Sequence, residues 1–383
     1  MRAWTPEQEL LRDTARRFTE REIAPHLDAW EDAGEIPRAL HREAAKHGLM
    51  GLGFAEDKGG DGGTLLDGMA AQEAMFEAGM SSGLAAGLFT HGIALPHIAA
   101  RGSADLIDRY VRPTLAGELI GALGITEPGG GSDVGALRTT AVRDGDHYVV
   151  NGAKTFITSG VRADFITTAV RTGGPGSGGV SLLIVDKDTP GLTVDRALAK
   201  MGWRCSDTAE LSFVDVRVPV SHLVGEENAG FAYIAEQFVV ERLGLAVHAY
   251  GIAARSLALT AAYCRDRATF GAPLVSRQVV RHKLVEMHRQ VEVARTYALS
   301  VAERHVSGGL DADVIAAACL AKQTAVECAT HVCHEAVQLH GGTGYMHGTE
   351  VERHYRDARL LPIGGGATEV LTDLAAKLLG YTP

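Results

Sequence analysis

Three consecutive glycines stand between two hydroxyl residues in Gly124-Ile-Thr-Glu-Pro-Gly-Gly-Gly-Ser-Asp133. A loop so poor in side chains lets backbone N–H groups approach a pyrophosphate closely. Thr126 and Ser132, with Thr158 from Lys154-Thr-Phe-Ile-Thr158, can offer hydroxyls to a polar ring edge. A different chemistry is offered by Glu241: Ile234, Phe238, Glu241, Leu245 and Ile252 fall within a narrow arc at helical spacing, so this carboxylate sits on an apolar stripe. Desolvation there raises its pKa and strengthens it as a base. The same placement also suits an interior salt bridge, with Arg255 or another buried cation as partner. Near the C-terminus, Gly364-Gly-Gly366 can bring backbone N–H groups to a ligand or be a plain flexible turn.

These groups need elements to position them. The 383 residues exceed one ordinary core and divide into two or three packed units. A hydrophobic fraction of 46% supports large cores, and the 46 glycines lie scattered through turns rather than in one low-complexity tract. The net charge of −10, with no Lys/Arg cluster to offset it, excludes a nucleic-acid-binding surface. The opening Met1-Arg-Ala-Trp-Thr-Pro-Glu lacks the apolar stretch of a secretory signal, and no membrane span is expected. Five cysteines without Cys-x-x-Cys spacing fit a reducing cytoplasm. Cys328, His331, Cys333 and His334 lie in an Ala/Val-rich helical stretch and point in different directions, so no metal site is expected.

Residues 1–120 read as helical, with apolar helix spacing around Gln8 to Phe18, Ala71 to Ala78 and Ala104 to Val111 and a glycine-rich break at Lys58 to Gly63. The period changes over 121–229. Asp144-Gly145 and Asn151-Gly152 read as hairpin turns around His147 to Val150, and further strands are expected at Asp164–Val170, Val180–Val185 and Ala209–Val214. Helical runs resume over 230–383, broken at Phe270 to Pro273, Ser307 to Gly309, His340 to Gly344 and Gly364 to Gly366. The expectation is an α+β multidomain chain: an N-terminal α-helical domain, a middle antiparallel β domain and a C-terminal helical domain.

In order and over nearly its whole length the chain resembles the acyl-CoA dehydrogenases. The resemblance rests on the two segments above, on Met201-Gly-Trp-Arg-Cys-Ser-Asp-Thr-Ala-Glu-Leu211, on Arg267-Ala-Thr-Phe-Gly271 with Gln278, and on Val337-Gln-Leu-His-Gly-Gly-Thr-Gly-Tyr345. It implies a four-helix bundle for the C-terminal domain, FAD as cofactor and a homotetramer built as a dimer of dimers. Carried over by position, Leu123, Ile125, Thr126, Gly131, Ser132, Phe156, Ile157 and Thr158 would hold the flavin of one subunit. Arg267, Thr269, Phe270, Gln278, Gln338, Leu339, Gly341 and Gly342 would close over the cofactor across a dimer interface. Thr368 and Glu369 match further flavin-contacting positions. Always-charged Arg267 suits a pyrophosphate, although it could equally be a solvated helix-end cation.

The implied reaction is α,β-dehydrogenation of an acyl-CoA to the trans-2-enoyl-CoA, with electrons passing to an electron-transferring flavoprotein. Many members carry the α-proton base in the loop matching Leu361 to Glu369, where this chain has Gly365. The long-chain and isovaleryl members place it instead at the position of Glu241, followed by arginine, here Arg242. Glu241 is therefore the expected base and Glu369 its rival. Gly365 is expected to offer its N–H to the thioester carbonyl, with Ser132, Arg242 and Gly366 contacting substrate and the missing side chain widening the cavity for branched acyl groups. Val239, where some relatives have a pantetheine-binding aspartate, and Leu123, where some have tyrosine, depart from the pattern. They keep open a dehydrogenase of carrier-protein-tethered acyl or aminoacyl groups. An acyl-CoA oxidase and a non-catalytic assembly subunit of the same fold are further alternatives.

Overall fold

The computed structural model describes residues 4–381. Thr5 opens the first helix, Pro6–Phe18, with a reciprocal cap: its hydroxyl accepts from the Gln8 N–H and the Gln8 side chain accepts from the Thr5 N–H. That helix packs along helix Leu65–Glu77, whose inner face of Leu66, Met69, Ala70, Ala74 and Phe76 is buried. Between these helices and the C-terminal ones lies Glu73. Its carboxylate takes Arg12 Nη1 at 2.8 Å and Arg295 Nε at 2.7 Å, an ion triad that ties the two helical regions together.

The middle of the chain forms β1 (Gly121–Gly124), β2 (Thr140–Asp144), β3 (His147–Thr158), β4 (Phe165–Arg171), β5 (Val180–Asp186), β6 (Leu192–Ala197) and β7 (Thr208–Pro219). They make one seven-stranded sheet in the order β1-β4-β2-β3-β7-β6, with β5 paired to β4. The main pairings are antiparallel except for β1, which runs parallel to β4 from Gly121 opposite Phe165 to Gly124 opposite Thr168. A strand that enters from the helical region, rather than through a hairpin, has its direction set by that entry. A hairpin does join β2 and β3, but it turns at Gly145-Asp146, one residue later than expected, because Asp144 pairs with His147. Asn151-Gly152 is not a turn: β3 runs through both, with a register shift against β7 between Val150 and Gly152. A bulge uses the same residue types as a turn while the strand continues, which is why the sequence pair misleads.

Three long helices follow: Gly230–Asp266, Gln278–Gly308 and Ala312–His340. Helix Thr368–Leu378 packs on the third and completes a four-helix arrangement. A two-stranded ribbon, Ala268–Thr269 with Ala272–Pro273, joins the first and second, where no strand is expected from sequence. By length and composition alone the first long helix is apolar enough to cross a membrane, but over half of its most apolar stretch is buried inside the protein. It is the core helix. A Cβ at Gly251 would lie 2.6 Å from the Phe76 ring, so the first long helix and helix Leu65–Glu77 approach closely just beyond the site.

Candidate active site

One cavity of about 2730 Å³ lies where the helical N-terminal region, the sheet and the first long helix meet. Pockets for a single drug-sized ligand hold about 300–1,000 Å³, so this one has room for two large molecules. Its walls include Leu123, Ile125, Thr126, Gly131, Ser132, Phe156, Ile157 and Thr158 from the sheet region. Glu241, Arg242, Gly365 and Gly366 face it from the C-terminal helices, and Gly202 and Trp203 line it from the segment before β7. The structure therefore brings together both glycine-rich segments and the carboxylate singled out in the sequence.

The loop after β1 is held from below by Lys154. This fully buried side chain on β3 donates to the Ile125 carbonyl at 3.1 Å and to Glu127 Oε1 at 2.8 Å. Glu127 also accepts from the backbone N–H groups of Arg138 and Thr139, at 2.6 and 2.8 Å. Burial works to raise the Glu127 pKa, but the Lys154 charge and these hydrogen bonds outweigh it and bring it down to about 2. Burial pulls Lys154 itself down to about 8 against the opposing effect of Glu127. Above this clamp, Cβ atoms at Gly129 and Gly130 would meet nothing within 4 Å, so their backbone lies open to a ligand. Phe156, at φ +59° and largely exposed, stands beside the loop.

Glu241 lies on the apolar stripe expected of it: Ile234 and Ile252 are buried, Phe238 and Leu245 half-buried. Its carboxylate faces the cavity and has no ion-pair partner among the described residues. The salt bridge to Arg255 considered from sequence does not form, because Arg255 is taken by Glu350 at 2.7 Å. Burial raises the Glu241 pKa, with the charges of Arg242 and Lys322 opposing. Arg242 is itself buried, stacks 4.9 Å over the Phe238 ring and leaves Nε without a partner. Glu369 is exposed and is absent from the cavity lining.

Gly365 lies beside Glu241. A Cβ there would stand 3.3 Å from Glu241 Oε1 and 2.2 Å from Leu245 Cδ1, in a backbone at φ +63°. The expected widening beside the reacting carbons is thus corrected: Leu245, one helical turn beyond Glu241, fills the volume that a side chain at 365 would occupy. Room exists elsewhere. Cβ atoms at Gly68 and Gly244 would meet nothing within 4 Å, and with Ala71, Met75, Ala85, Ala86 and His248 these residues also line the cavity. His248 lies seven residues past Glu241, about 10 Å along the helix axis.

The remaining sequence-derived positions lie outside this cavity within the single chain. Arg267, Phe270, Gln278, Gln338, Gly341 and Gly342 are exposed, Thr269 and Leu339 half-buried, and Thr368 lines a small separate pocket. Phe270 is 99% exposed at φ +50°, on the ribbon between the first two long helices. No group of three or more potential metal ligands occurs among the described residues.

Three domain models match in series: the acyl-CoA dehydrogenase N-terminal domain over residues 5–118, the middle domain over 122–216 and the C-terminal domain over 228–380. The chain belongs to the acyl-CoA dehydrogenase family. The long-chain specific acyl-CoA dehydrogenase of Rattus norvegicus mitochondria is 37% identical over 380 residues, 98% of this chain and 87% of the rat protein. A solved structure described as a "probable acyl CoA dehydrogenase" from Mycobacterium abscessus is 62% identical with a TM-score of 0.96, covering 98% of this chain and 99% of that one. A glutaryl-CoA dehydrogenase from Mycobacterium smegmatis, solved in complex with FADH2, is 26% identical with a TM-score of 0.92, covering 99% and 96%. The protein is an acyl-CoA dehydrogenase flavoprotein with FAD as cofactor, and the open loop backbone at 129–130 beside Thr126, Ser132 and Thr158 suits such a dinucleotide.

Sequence reasoning quoted Lys154 and Leu245 only within a motif and an apolar stripe, without their packing roles, and passed over Lys322. Lys322 on the third long helix is 1% exposed and donates to the carbonyls of Gly364 and, at 2.7 Å, Gly366. The signal was available: Cys319, Lys322, Val326 and Ala329 recur at helical spacing on a buried face, as Glu241 does on its own.

Proposed function

We propose that Glu241 removes the α proton of an acyl-CoA thioester while the Gly365 N–H donates to the thioester carbonyl, giving the trans-2-enoyl-CoA. The observation that carries this reading is the placement of Gly365 beside an unpaired Glu241 carboxylate on the cavity wall, where a Cβ at 365 would lie 3.3 Å from Oε1. FAD, when bound, accepts the hydride lost from the β carbon. Thr126, Ser132 and Thr158 would hold its ring, and the 129–131 backbone its pyrophosphate. Enolate charge developing on the carbonyl oxygen is met by the Gly365 N–H, which has no acceptor among the described residues. One such donor is worth about 3 kcal/mol in the transition state. The acyl chain would run between Gly244 and Gly68 toward His248, where the absence of side chains leaves room for bulk.

Within an assembly, Arg267, Phe270 and Gln338 to Gly342 would complete the cofactor site of a neighbouring subunit in a homotetramer. The nearly complete exposure of Phe270 in the single chain supports this. An electron-transferring flavoprotein would reoxidise the enzyme, and five free thiols support a reducing, cytoplasmic setting.

The test is anaerobic mixing with straight and branched acyl-CoAs, following loss of flavin absorbance, with Glu241→Gln in parallel. Bleaching in the parent and not in a flavin-replete variant is expected. Equal bleaching in the variant would eliminate Glu241. A yellow parent inert to every CoA ester would transfer the reading to carrier-bound substrates, for which the buried Val239 in place of a pantetheine-binding aspartate is the structural motive.

A further inference from the structure

We propose that Lys322 is a positioning residue for the dehydrogenation: by anchoring the carbonyls of Gly364 and Gly366 it fixes the peptide that presents the Gly365 N–H to the thioester. This rests on the reading of Gly365 given above. The carbonyl of Gly364 and the N–H of Gly365 belong to one planar trans peptide and point in opposite directions. Drawing that oxygen onto the Lys322 ammonium therefore turns the N–H away from it, toward the side where Gly365 borders the cavity.

The lysine is needed because the turn is made of glycine. Gly365 and Gly366 occupy φ +63° and +95°, and a peptide between two glycines can flip at little cost. A flipped 364–365 peptide would point a carbonyl, not an N–H, at the thioester oxygen, replacing attraction by repulsion where negative charge develops. Hydrogen bonds from a cation to both flanking carbonyls hold the productive orientation. Lys322 has no carboxylate partner among the described residues, so its charge is committed to this turn and to the nearby Glu241. The geometry gives it two tasks, aiming a donor and setting a positive charge behind the base, without contact with substrate.

The test compares Lys322→Met, which removes donors and charge, with Lys322→Gln, which removes the charge and keeps one donor group. Rates are expressed per bound flavin, so partial loss of holoenzyme does not count. We expect kcat to fall about 10²-fold in the methionine variant, the effect of losing one preorganised donor. A smaller loss is expected in the glutamine variant, with KM within threefold of the parent in both. A second readout is an acyl-CoA with sulfur at the β position, which can lose its α proton but no hydride. The fraction held as the bound anion, read from its long-wavelength band with the flavin, should drop in the same order.

Parental kcat per flavin and a parental anion fraction in both variants would overturn the proposal. Should the methionine variant give no folded holoenzyme, Lys322→Gln decides by the same criteria. Glu241→Gln separates the two levels: if it retains the parental rate, the underlying reading fails. If it is inactive while the Lys322 variants match the parent, only the positioning role fails.

Discussion

Leu245 occupies the space of a side chain at Gly365: a Cβ there would lie 2.2 Å from Leu245 Cδ1. A side chain at 365 would therefore have to displace the end of Leu245. Gly365→Ala should lower kcat at least tenfold by forcing Leu245 aside, by pushing on Glu241 and by straining a left-handed backbone. Leu245→Ala added to it should restore part of the loss, since it relieves the clash and not the strain. Steady-state kinetics on the three variants, with flavin content as control, checks this.

The pH profile of kcat/KM should carry an acid limb above the ordinary carboxylate range of about 4.3. In the proposed role Glu241 must be ionised to take a proton, and burial raises its pKa. The charged groups acting on it are Arg242 from its own helix and Lys322 from the third, both of which lower it; the glycine turn adds none. Lys322→Gln should accordingly move the acid limb upward. A limb that stayed in place would separate Lys322 from the titration of the base.

Lys154→Met leaves the Glu127 carboxylate with its backbone donors but without its cation. Removing one partner of a buried ion pair costs about 3–5 kcal/mol, and the surviving N–H bonds place this case at the low end. The variant should unfold at lower denaturant and release FAD more readily, because the Ile125 carbonyl loses its anchor at the same time. Flavin titration of the apoprotein measures the second effect independently of the first.

Glu73→Leu strands Arg295 between the N-terminal and C-terminal helices, while Arg12 keeps Glu77 at 2.8 Å. A stability loss of about 3–5 kcal/mol is expected in equilibrium denaturation. KM and kcat of the surviving folded protein should change little, since Glu73 does not line the cavity.

Glu241 was legible from sequence because a carboxylate on an apolar helical face is anomalous wherever the helix packs. The helix–strand–helix order was legible for a similar reason, as hydrophobic period is a local property. What failed was long-range. The parallel seat of β1 beside β4 and the bulge at Asn151-Gly152 depend on partners elsewhere in the sheet. The volume beside Gly365 depends on Leu245, 120 positions earlier, and no spacing rule reports which residue fills a neighbour's absence. Lys322 has the same helical spacing on a buried face as Glu241, but its partners, the carbonyls of Gly364 and Gly366, lie more than 40 positions away and no local pattern announces them.

The turn at 364–366 also acts as a screen. Burial pulls the Lys322 ammonium down to a pKa of about 8, with the charge of Glu241 opposing. Lys322 is absent from the cavity lining, whereas Gly364, Gly365 and Gly366 all belong to it. The glycine backbone thus stands between the Lys322 side chain and the cavity, so that a buried cation is walled off from whatever enters there.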